Sequence, residues 1–150
     1  REFSVSLLRE KVSYFERDSR RILEELATDA TAEESLQIQA VGALSQDLKS
    51  SQTLGFFQRI AQNKSAPETV RRLVLLNLKA EDETLFLQTN RQIMLDPREP
   101  AELRIFAFEI MSDKNVAEHI SEIEQLRSTT VEEKLKAVIA ERLAALKNNP

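Results

Sequence analysis

The sequence predicts an all-α protein, a solenoid of antiparallel helix pairs whose pattern returns from Val70 to Leu103 and again to Leu135. Three observations carry that expectation. The chain of 150 residues holds only two Gly and four Pro, and Ala, Leu, Glu, Gln, Arg and Lys, all good helix formers, dominate it. Two stretches, "SAPETVRRLVLLNL" (65–78) and "EPAELRIFAFEIM" (99–111), write nearly the same phrase one period apart. A second apolar stripe with the same period runs between them.

The first stripe defines a helix A. Leu36, Val70, Leu103 and Leu135 begin it, followed at once by Gln37, Arg71, Arg104 and Lys136. Ala40, Val74, Ala107 and Ile139 continue it, and Leu44, Leu78, Met111 and Leu143 end it, so apolar residues recur at i, i+4 and i+8 on one helix face. Leu75, Phe106 and Ile139 lie in that apolar half, and Phe106 is expected in the core.

The second stripe defines a helix B. Its positions are Leu26, Ile60, Ile93 and Leu126, which keep the same period as the A helices. Leu23, Phe57, Asn90 and Ile123 stand three residues earlier, and Arg20, Leu54, Leu87 and Ile120 six residues earlier. Asn90 and Arg20 interrupt an otherwise apolar row. The segments "ATDATAEE", "QNKSAPE", "LDPREPAE" and "RSTTVEE" precede the A helices. Each carries Ser, Thr, Asp or Asn before an acidic first turn, the chemistry of a helix start. Pro67 and Pro100 stand where a missing N–H costs nothing.

Such a pair cannot bury its apolar face alone, whereas a stack of pairs buries a continuous core. The expected organisation is a single domain over residues 1–150 with about four pairs. Within residues 1–30, "EFSVSLLREKVSYF" and "ERDSRRILEELA" read as a degenerate first pair, or as one long capping helix. Residues 131–147 form a last A helix without a B partner.

The stretches "APETVRRLVLLNL" and "EPAELRIFAFEIM" resemble the short HEAT-like repeats, in which a Pro shortly precedes Val-Arg at the start of the first helix. The resemblance covers roughly residues 31–147. It implies a right-handed stack and a non-enzymatic protein-interaction scaffold or adaptor, with a peptide or partner helix bound on the concave B-helix face. HEAT-like repeats also build the alkylpurine DNA glycosylases, which hold DNA on a basic face beside aromatic residues and an acid. The absence of Trp, a single Tyr and a net charge of −4 depart from that pattern. A further alternative is a helical module of a larger assembly.

Composition narrows the chemistry. An acidic balance argues against a generic nucleic-acid binder. Lack of Cys rules out disulfides and thiolate metal sites. It fits a reduced compartment and also a Cys-free exported protein, and the reading favours a soluble cytoplasmic chain. No apolar run reaches the length of a membrane span, no Gly-rich phosphate loop is present, and no catalytic, cofactor or metal site is expected.

Several residues remain to be weighed. Gln37, Arg71, Arg104 and Lys136 form a mostly basic ladder: either a stripe for an acidic partner, or a structural ladder in which each cation meets an acid or a helix C-terminus. The structural reading is taken for Arg71, Arg104 and Lys136. His119, the only histidine, falls at the register of Thr53 and Phe86 and reads as a partly exposed structural residue. The carboxylates Glu81, Asp82, Glu83, Glu118, Glu122 and Glu124 read as first-turn and surface acids rather than as an acid–base pair. Phe57 and Leu87 take the core stripe by register, which leaves Phe56 and Phe86 about 100° off it. Those two are either part of a broad apolar face or an exposed inner patch. The patch reading makes Phe56, Phe86, Asn90 and Glu122 partner-binding residues.

Overall fold

The computed structural model describes residues 17–148 and is helical throughout, with no strand among the described residues. In order, the helices are α1 (Arg17–Thr28), α2 (Glu34–Leu44), a 3-10 turn (Ser45–Asp47), α3 (Ser51–Gln62), α4 (Glu68–Glu81), α5 (Glu83–Leu95), α6 (Ala101–Glu109), α7 (Asp113–Glu118), α8 (Ile120–Thr129) and α9 (Glu133–Asn148). The expected A helix at residues 2–15 lies outside the described residues. Helices α2, α4, α6 and α9 are the A helices. Helices α1, α3 and α5 are B helices, and the last B helix is split into α7 and α8.

The chain divides into two compact units between Thr89 and Asn90, inside α5. In the first unit α1 packs along α2, α3 packs along α4, and the two A helices α2 and α4 pack on each other. In the second unit α8 packs along α9, and the A helices α6 and α9 pack on each other.

Burial follows the period closely. The buried positions of α3 are Thr53, Phe56, Phe57, Ile60 and Ala61, and those of α5 are Phe86, Thr89, Asn90, Ile93 and Met94, each exactly one period on. The A helices bury Leu36, Val70, Leu103 and Leu135 at their starts and Leu44, Leu78 and Leu143 toward their ends, with Met111 buried just past α6. Two expectations shift by a residue or two. On α1 the buried residue is Ala27, one period before Ile60, while Leu26 is only half-buried. On α6 the core phenyl is Phe108, at 0% exposure, and Phe106 is half-buried. Phe108 stands with Val41 and Leu75 in the register, one residue past the Ala107 row, and faces the core more squarely than Phe106.

The B-to-A turns share one construction. Asp29 Oδ1 accepts the Thr31 amide at 2.8 Å, Asn63 Oδ1 accepts the Ser65 amide at 3.0 Å, and Asp96 Oδ1 accepts the Arg98 amide at 2.9 Å. Thr130 Oγ1 accepts the Glu132 amide at 3.3 Å in the last turn. Main-chain bonds from Ala32 to Asp29, Ala66 to Asn63 and Glu99 to Asp96 close the first three of these turns. By sequence these short polar side chains belong to the starts of the A helices. They bond instead to the turn two residues on, as Asp and Asn do when they leave a helix. The N-cap residues of α2, α4 and α6 are Glu33, Pro67 and Pro100, all outside the helical region of φ and ψ and none with a side-chain cap.

Candidate functional site

A helix leaves its last four carbonyls without intrahelical donors. The ladder residues meet this need for the helix before them. Arg71 Nε donates to the Ala61 carbonyl near the end of α3 at 2.8 Å, and Arg104 Nε donates to the Met94 carbonyl near the end of α5 at 2.9 Å. Gln37 Nε2 donates to the Asp29 carbonyl, just past α1, at 2.7 Å. All three side chains are buried, with Arg71 only 2% exposed. A guanidinium at a helix C-terminus also meets the negative end of the helix dipole. Arg104 additionally pairs with Glu132 at 2.6 Å, which ties α6 to the segment leading into α9. Lys136 shares the register but not the role. It is half-buried, and its Nζ pairs with Glu133 of its own helix at 2.8 Å.

The patch of Phe56, Phe86, Asn90 and Glu122 is not exposed as expected. Phe56 is 7% exposed, and Phe86 and Asn90 are buried in full or nearly so. Leu87, expected on the core stripe, is half-buried. The physical reason is that α3 and α5 each bury two adjacent rows, so a residue one step off the stripe is still inside. Phe86 aligns with buried Thr53, and Phe56 aligns with buried Thr89. Asn90 donates from Nδ2 to the Ala107 carbonyl at 2.7 Å, and its Oδ1 is buried without a partner. Glu122 is half-buried and gives both carboxylate oxygens to Arg91, at 2.8 and 2.9 Å. That forked bond holds the Arg91 guanidinium charged to higher pH than usual. Glu122 is therefore committed to joining α5 to α8.

His119, Asp82, Glu118 and Glu124 also have structural partners. His119 breaks the last B helix with φ −117 and ψ 22, and its Nδ1 lies 2.8 Å from the Asn115 carbonyl. Asp82 Oδ1 accepts the Leu85 amide at 2.9 Å and caps α5. Glu118 and Glu124 pair with Lys114 and Arg127. No grouping of three or more metal-ligand side chains occurs among the described residues, and no helix among them is long and apolar enough to cross a membrane.

Sequence reasoning missed Arg142. Its guanidinium donates to the carbonyls of Phe108, Glu109 and Met111 and to Asp113, and lies 5.5 Å from the centroid of the Phe108 ring. It closes the end of α6 from the α9 side. Nothing in "AERLAA" marks this residue, because its partners are mostly main-chain carbonyls. No known family matches the chain, and no curated protein or solved structure matches it significantly.

Proposed function

We propose that the chain is a stack of HEAT-like helix-pair repeats serving as a non-enzymatic interaction scaffold, with a peptide or partner helix bound on the outer face of the B helices. One observation carries the reading. The residues with the most chemistry, namely Arg71, Arg104, Asn90 and Glu122, are spent on joining helix to helix. The sequence thus invests its polar side chains in the frame, as a scaffold does. The binding positions move to the neighbouring B-helix residues that remain outside: half-buried Leu54 and Gln58 on α3 and exposed Gln88 on α5 in the first unit. Side chains of this kind combine apolar area with amide donors and acceptors.

The test is site-specific photo-crosslinking in the native host. A crosslinker at Gln58 or Gln88 is expected to capture a discrete protein partner, whereas one at Leu76, exposed on the A helix α4, is expected to capture none. Capture from Leu76 alone would overturn the assignment of the face. Duplex DNA is not expected to bind at physiological salt, and binding that weakens steeply as salt rises would revive the glycosylase-like alternative.

A further inference from the structure

We infer that in the first unit the bodies which move as one are the hairpins α1–α2 and α3–α4, each a B helix with the A helix after it, and that opening occurs at the joint between them, residues 45–50. Pairing an A helix with the B helix after it divides the repeat elsewhere. The bonds place the division differently. Each B-to-A turn is closed by its own Asp, Asn or Thr side chain, in three cases with a main-chain bond. Three of these turns are then crossed by a buried side chain, Gln37, Arg71 or Arg104, that reaches from the A helix to the end of the preceding B helix. Bonds of this kind are shielded from water and salt and are strengthened by the low local dielectric.

The joint between α2 and α3 is held otherwise. The joint at residues 45–50 is tied to α1 by Arg20 and Asp47, 3.2 Å apart, with the Asp47 side chain 37% exposed. That pair is open to water and salt on its acid side, whereas the carbonyl bonds of the turns are buried. Packing agrees with the bonding. Helix α1 lies close along α2 and α3 along α4, whereas α2 and α3 approach much less closely. Local opening runs along the weakest connection in a fold, which in the first unit is the joint at residues 45–50.

The chain contains no Cys, so one introduced thiol reports opening where it is placed. Ala43 lies two residues before the first joint and Ala61 two residues before the Asn63 turn, and both are 0% exposed. Under native conditions Ala43→Cys is expected to react with a thiol reagent on the order of tenfold faster than Ala61→Cys. Arg71→Met is expected to speed labelling of Ala61→Cys by on the order of tenfold and to leave Ala43→Cys unchanged. Equal rates, a faster Ala61→Cys, or equal acceleration of both sites by Arg71→Met would overturn the inference. Hydrogen exchange on the unsubstituted chain gives the same ordering without any variant. Amides of residues 45–50 are expected to exchange before those of residues 63–66, and the reverse order overturns the inference independently.

Discussion

Helices α3 and α5 stand one sequence period apart and fill equivalent buried positions with different side chains. Helix α3 buries Thr53, Phe56 and Phe57, and α5 buries Phe86, Thr89 and Asn90, residue for residue one period later. A Phe and a Thr have exchanged places one helical turn apart, which keeps the buried volume nearly constant while moving the ring. The Thr hydroxyls remain satisfied: Thr89 donates to the Leu85 carbonyl at 2.8 Å, and Thr53 lies 3.5 Å from Asp47.

The third position differs for a reason that lies in the neighbouring helix. Phe57 and Asn90 are both 0% exposed. Asn90 reaches the Ala107 carbonyl on α6, and α6 ends at Glu109, so that carbonyl belongs to the last turn and needs an outside donor. The equivalent residue on α4 is Val74, and α4 continues to Glu81, so its carbonyl lies within the helix and needs none. An amide is therefore useful at position 90 and would be wasted at position 57. Arg142 covers the other carbonyls at the end of α6.

The largest expected effect tests this directly. Phe57→Asn removes a buried ring and supplies an amide with no carbonyl to meet, and is expected to cost about 3–5 kcal/mol in denaturant unfolding. A cost under about 1 kcal/mol would mean that α4 offers a carbonyl after all, and the contrast with α6 would fail.

Arg104→Ala comes next. It leaves the Met94 carbonyl and Glu132 without their buried partner, for an expected loss of about 3 kcal/mol. Lys136→Ala, at the same register but on a half-buried surface pair, is expected to stay within about 0.5 kcal/mol. Similar losses for the two would erase the distinction between the tied and the untied ladder positions.

A smaller loss than that of Arg104→Ala is expected from Asn90→Leu. The new side chain fills apolar space but abandons the Ala107 carbonyl, and also removes the unpartnered Oδ1. The net cost is expected to be about 1 kcal/mol, concentrated as faster amide exchange at the end of α6. A stabilised variant with unchanged exchange there would show that Asn90 does not cap that helix.

The period and helix type were legible in the chain itself. Leu36, Val70, Leu103 and Leu135 recur with the burial they need, because a helix face repeats every few residues and a repeat buries the same face each time. The choice between adjacent rows was not legible. Phe56 and Phe57, or Phe86 and Leu87, are equally apolar neighbours, and hydrophobicity alone does not say how wide a face the surrounding helices cover. The same gap explains the failed patch of Phe56, Phe86, Asn90 and Glu122.

Local periodicity and composition are enough to set the helical class, the spacing of the A and B helices and most of the residues that carry the core. The use of the polar residues was assigned by packing between helices. Whether Asp29 starts a helix or closes a turn, and whether Arg71, Asn90 or Arg142 faces a partner or a carbonyl, depends on where other helices end in space. Carbonyl groups are identical in every residue, so a side chain destined for one leaves no complementary mark elsewhere in the chain.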